Sequence, residues 1–141
     1  MAYFQDDNDQ RPRVLLVDDD AFVRDALYTV LENAGYEVLA AGNGWDALAI
    51  FRRSIPGIGL LVTDYNMPQM SGLELARECS RLHPELSVLY VSGSCPDEEL
   101  QADLEAPNRG FLAKPFRGTE LVRKTRELLL VEAAGQLSLS R

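Results

Sequence analysis

Five short apolar runs, each followed by a stretch of helical spacing, constrain this chain more than any other feature. The runs are "RVLLV" (13–17), "YEVLAA" (36–41), "LLVTD" (60–64), "LSVLYVS" (86–92) and "GFLAK" (110–114). They are too short for helices and rich in Val, Leu and aromatic residues. Most are apolar throughout rather than alternating, which suits strands buried on both faces. The first helical stretch, "AFVRDALYTVLENAG" (21–35), sets Phe22, Ala26, Leu27, Val30, Leu31 and Ala34 at helical spacing before a terminating Gly35. The next, "NGWDALAIFRRS" (43–54), turns Trp45, Leu48, Ala49 and Phe51 inward and is broken by "IPGIG". "GLELARECSRLH" (72–83) stops before Pro84, and "CPDEELQADLEA" (95–106) opens on Pro96 and an acidic first turn. "TELVRKTRELLLVEA" (119–133) directs Leu121, Val122, Leu128 and Leu129 inward. A βα unit repeated five times with short connections predicts an α/β fold. It is a five-stranded parallel sheet, doubly wound as (βα)5 with helices on both faces.

In such sheets ligands bind at the carboxyl ends of the strands. The first strand ends in Asp18, Asp19 and Asp20, the third in Asp64, the fourth in Ser92 and the fifth in Lys114. Carboxylates on one edge repel unless protons or a cation neutralise them. A hard divalent ion such as Mg²⁺ takes oxygen ligands, typically one or two carboxylates and a phosphate. His83 and Cys95 lie away from these strand ends, which argues against zinc. Lys114 suits a phosphoryl oxygen, and Ser92 beside Gly93 offers a hydroxyl with room for close approach. Together these groups predict a phosphoryl-handling site in which a carboxylate serves as nucleophile.

Composition narrows the setting. With 141 residues and 46% hydrophobic content, the chain forms one domain with a full core. A net charge of −8 without a basic run argues against nucleic acid or an anionic membrane as partner. The start "MAYFQDDNDQ" lacks the features of a signal peptide, and no apolar run reaches the ~18 residues of a membrane span. A cytoplasmic protein is expected, with Cys79 and Cys95 as free thiols, although a bridge stays open at this stage. Residues 1–11 are expected to be a disordered acidic tail, 12–132 the domain, and 133–141 a short polar tail.

"LLVDDD", "TDYNMP", "VLYVSGS" and "FLAKPF" resemble the receiver domain of two-component response regulators, from about Arg13 to Val131. The spacings are 45 residues from Asp19 to Asp64, 28 more to Ser92 and 22 more to Lys114. The resemblance implies a flavodoxin-like sheet of strand order 2-1-3-4-5. It implies that Asp64 accepts a phosphoryl group from a histidine kinase or phosphotransfer protein. Mg²⁺ would be held by Asp19, Asp64, the Asn66 backbone carbonyl and, through a water, Asp18. Ser92 and Lys114 would contact the phosphoryl group, and the Lys114–Pro115 bond would be cis. Phe111 falls at an aromatic switch position, though it also suits a fixed core residue. Ser92 stands where Thr is commoner, and Phe111 lacks the hydroxyl of the frequent Tyr. Asp20 is expected to cap a helix or face solvent. An effector would dock on the fourth helix, fifth strand and fifth helix, about Asp97 to Leu130, of a monomer or weak homodimer. Such a domain catalyses only its own phosphorylation and dephosphorylation.

Two other readings compete. "LLVDDDAF" partly fits a haloacid-dehalogenase-like phosphatase, with Asp18 as nucleophile and Asp20 as acid, but Phe22 stands where Thr or Val is expected and "TDYNMP" is left without a role. A pseudo-receiver that binds partners without phosphorylation is the other, although the acceptor-site residues are all present.

Overall fold

The computed structural model describes residues 11–54 and 57–139. Five strands, β1 (Arg13–Val17), β2 (Glu37–Ala41), β3 (Ile58–Asp64), β4 (Ser87–Ser92) and β5 (Arg109–Ala113), form one parallel sheet in the order β2-β1-β3-β4-β5. The helices are α1 (Ala21–Asn33), α2 (Gly44–Ser54), α3 (Gly72–Leu82), α4 (Glu98–Asp103) and α5 (Gly118–Leu139). The expected fold class and strand order are both present.

Side chains of the central strands alternate between two cores, because successive residues of a strand point to opposite faces. Leu15, Val17, Leu61, Val88 and Tyr90 pack with Leu48 and Phe51 of α2 and Leu73, Ala76 and Cys79 of α3. Val14, Leu16, Leu60, Val62, Leu89 and Val91 pack with Leu27 and Leu31 of α1 and Leu121 and Leu128 of α5. Each fully buried Leu, Val or Phe contributes about 1.5–3 kcal/mol. This two-sided burial explains why the strands read as apolar runs, and their parallel pairing delivers every strand's carboxyl end to one edge.

Two aromatic expectations are corrected. Phe22 is 89% exposed and Trp45 is 60% exposed. At 3.6 residues per turn, Phe22 lies roughly 180° around α1 from the buried Leu31. In α2 the buried stripe is Gly44, Ala47, Leu48 and Phe51, which leaves Trp45 and Ala49 outside it. Ala26 and Ala34 are likewise exposed.

The last helix runs to Leu139, through residues expected to be a tail. Ala133 and Ala134 favour helix, and Gln136 anchors the extension by donating to Glu132 Oε2 at 2.6 Å. The expected disorder of residues 1–10 and the break at Ile55–Pro56 lie outside the described residues.

Candidate functional site

The carboxyl edge of the sheet brings β1, β3, β4 and β5 together, and their last residues build the site. Asp18 follows β1 and is 1% exposed. Its Oδ1 accepts from the Asp20 N–H at 2.9 Å, and its Oδ2 lies 3.2 Å from Lys114 Nζ. Arg24 reaches back from α1 to the Asp18 carbonyl at 2.7 Å, which fixes the turn. Asp20 leaves the site and caps α1, its Oδ1 accepting from Phe22 N at 2.9 Å and Val23 N at 3.3 Å. Such a cap is worth about 1 kcal/mol.

Asp64 closes β3 and is also buried. Its Oδ1 is 3.8 Å from Lys114 Nζ. One oxygen each from Asp18, Asp19 and Asp64 lie within 4.8 Å of one another. The set is all carboxylate, which fits a hard divalent cation and not a thiolate or imidazole metal. Burial pushes the Asp64 carboxyl up to about 6; Lys114 opposes the shift, while Asp18 and Asp19 add to it. One lysine therefore does not neutralise the cluster.

The start of α3 is pressed against this strand end. A Cβ at Gly72 would overlap the Asp64 carbonyl oxygen, so only glycine allows the approach. Ser71 caps α3 in a reciprocal box with Glu74, at 3.1 and 3.0 Å.

Ser92, 1% exposed, ends β4. Its hydroxyl accepts from Ser94 N at 3.1 Å and from Asn66 Nδ2 at 3.4 Å, and Asn66 Nδ2 also reaches Ser94 Oγ at 3.3 Å. The Lys114 amide donates to the Ser92 carbonyl at 2.8 Å, which ties the β4 and β5 ends together. The Lys114–Pro115 bond is cis. Phe111 is half-buried against the first core and pairs in register with Tyr90 on β4. Cys79 is buried and Cys95 exposed, both free; burial pushes the Cys79 thiol up to about 12.

The structure thus gathers Asp18, Asp19, Asp64, Asn66, Ser92 and Lys114 at one edge and sets Asp20 apart as a cap. Sequence reasoning missed Tyr65 and Tyr90, whose hydroxyls bind Asp97 and Asp103 at the two ends of α4. A tyrosine directly after Asp64 was the available signal.

The family model of the response regulator receiver domain matches residues 14–126. The chain is 37% identical over 119 residues to the response regulator receiver protein CpdR of Brucella abortus, covering 84% of this chain and 97% of that protein. It is 36% identical to part of the sensor kinase CckA of the same organism, covering 82% of this chain but 12% of the kinase. A CheY-like receiver domain protein from Methanospirillum hungatei superposes with a TM-score of 0.79 at 27% identity, covering 89% of this chain and 99% of that one. Among the described residues no helix is long and apolar enough to cross a membrane.

Proposed function

The chain belongs to the response regulator receiver family, phosphoacceptor signalling domains of two-component systems, and on that premise we propose that Asp64 is the phosphoacceptor. One observation carries the assignment. Asp64 is the buried carboxylate at the end of the central β3, within 3.8 Å of Lys114 and within ligand range of Asp18 and Asp19.

A carboxylate oxygen of Asp64 attacks the phosphorus of a phosphohistidine, the P–N bond breaks, and an acyl phosphate forms as the imidazole leaves. Lys114 pairs with a phosphoryl oxygen, and Ser92 donates its hydroxyl hydrogen to another. The residues that would hold Mg²⁺ are Asp19, Asp64, the Asn66 carbonyl and, through water, Asp18. When bound, the ion supplies the neutralising charge that lets an anionic phosphoryl group approach an anionic carboxylate. Hydrolysis of the same acyl phosphate returns the domain to its starting state.

The added charge, roughly −1.5 to −2 as in other phosphorylated side chains, draws on Ser92 and Lys114 and shifts the surface around Phe111. The donor is a histidine kinase or phosphotransfer protein, and an effector reads the face formed by α4, β5 and α5. A cytoplasmic monomer or weak homodimer that binds neither nucleic acid nor membrane fits the net charge of −8. The phosphatase reading loses its acid, because Asp20 is engaged as a helix cap.

Incubation with Mg²⁺ and acetyl phosphate, followed by intact mass, tests the assignment. Wild type gains one phosphate-sized adduct, and Asp64→Asn gains none. An equal adduct on Asp64→Asn, or none on wild type, would falsify it.

A further inference from the structure

Helix α4 has six residues, too short to persist by its own hydrogen bonds. Leu100 buries its middle, and side chains hold its ends. At the start, Asp97 is the N-cap and accepts from Leu100 N at 2.9 Å. The Tyr65 hydroxyl sits 3.0 and 2.9 Å from the two oxygens of the same carboxylate. At the finish, Asp103 accepts from the Tyr90 hydroxyl at 2.7 Å and from Arg109 Nε at 3.0 Å. The two tyrosine rings meet edge to face, with centroids 6.2 Å apart and planes at 86°.

This arrangement is wired to the site at two points. Tyr65 is bonded covalently to Asp64, and its amide donates to the Val91 carbonyl at 2.9 Å, one residue before Ser92. Residues 93–96 then run from Ser92 to Asp97. The Ser92 hydroxyl is engaged within that loop, on Ser94 N. A phosphoryl group that draws the Ser92 side chain toward itself moves its oxygen away from Ser94 N and lets the loop move at one end, while Tyr65 still holds the other. Phe111 carries no hydroxyl, so a tether from that position is excluded; the hydroxyls of Tyr65 and Tyr90 hold α4 together with Arg109 on Asp103 and an exposed Arg77–Glu99 pair.

We propose that Tyr65 is a positioning residue whose hydroxyl, bonded to Asp97, latches α4 in its unphosphorylated place and is released when the domain switches. The proposal rests on Asp64 as phosphoacceptor and adds the contact that resists the change. By linkage, a bond made only in the unphosphorylated state weakens binding of a phosphoryl ligand that favours the other state, by the factor by which it stabilises the first.

The test uses the full chain, beryllium fluoride with Mg²⁺ as a phosphoryl mimic, and hydrogen exchange of the α4 amides. Tyr65→Phe exchanges faster at Leu100–Asp103 in the unmodified protein and binds the mimic about 5-fold more tightly. Asp97→Ser keeps an oxygen for the cap but is too short to meet the tyrosine, and it gives the same tightening. The double variant adds nothing to either single one. Wild-type affinity in both variants, or weaker binding, overturns the latch. If wild type takes up neither beryllium fluoride nor acetyl phosphate, the Asp64 assignment falls instead. The exchange comparison still judges the latch in that case, and unchanged rates sink it.

Discussion

The two edges of the sheet treat charge in opposite ways. At the amino edge, polar groups are matched. Glu132 accepts from Gln136 at 2.6 Å and lies 3.0 Å from His83 Nε2. Arg13 pairs with Glu37 at 3.1 Å, Ser87 donates to the Leu128 carbonyl at 2.7 Å, and Arg109 donates to the Leu86 carbonyl at 3.1 Å. At the carboxyl edge, Asp18, Asp19 and Asp64 cluster together, and Lys114 pairs with Asp18 and Asp64 of the three. One edge closes the fold, and the other holds uncompensated negative charge that a ligand can relieve. Folding alone gives no reason for that concentration, and local conflicts of this kind are expected at functional sites.

The largest effect that tests this contrast comes from removing charge at the costly edge. The folded-state pKa of Asp64 is raised to about 6. Its ionisation therefore costs stability above about pH 6, and the cost vanishes below about pH 4, where the carboxyl is protonated folded and unfolded alike. Without divalent metal, Asp64→Asn should stabilise the protein at pH 7 by about 2–3 kcal/mol in chemical denaturation, with the gain gone near pH 4. Mg²⁺ should raise the wild-type midpoint at pH 7 and lose that effect as pH falls through about 6. A destabilised Asp64→Asn at pH 7 would mean the edge is not strained by charge.

The opposite outcome is expected at the amino edge. His83→Ala leaves the part-buried Glu132 carboxylate without its imidazole neighbour and should cost about 1–2 kcal/mol. It should leave the phosphate adduct on Asp64 unchanged, because the cluster lies across the sheet. Loss of the adduct with unchanged stability would invert the comparison and bring His83 into the function.

The carboxyl edge was legible in the sequence because parallel strands bring their ends to one side, so the polar ends of four strands could be placed together without coordinates. Its internal bonds were not. Nothing in the spacing says that Lys114 Nζ sits closer to Asp18 than to Asp64, at 3.2 against 3.8 Å. The amino edge was almost silent, since Glu132 and Gln136 meet His83 only once α5 packs against the sheet. That packing also carries α5 past the expected end at residue 132. Tyr65 was missed for a related reason. A tyrosine in a loop has no periodicity, and its partner Asp97 lies 32 residues away.

The smallest effect concerns the aromatic residues that helical spacing wrongly turned inward. Phe22 lies in the first turn of α1, two residues after Asp20, yet is 89% exposed, and the α1 contribution to the core comes from Leu27 and Leu31. Its amide, not its ring, serves the structure, by donating to Asp20 Oδ1. Phe22→Ser keeps that amide and exposes no new apolar surface. Its stability should stay within about 0.5 kcal/mol of wild type in urea denaturation. A loss near the ~3–5 kcal/mol typical of truncating a core Phe would mean that the ring is buried in solution and the carboxyl edge is less open than its charges imply. Unchanged stability instead leaves an apolar ring standing in water beside the charged edge.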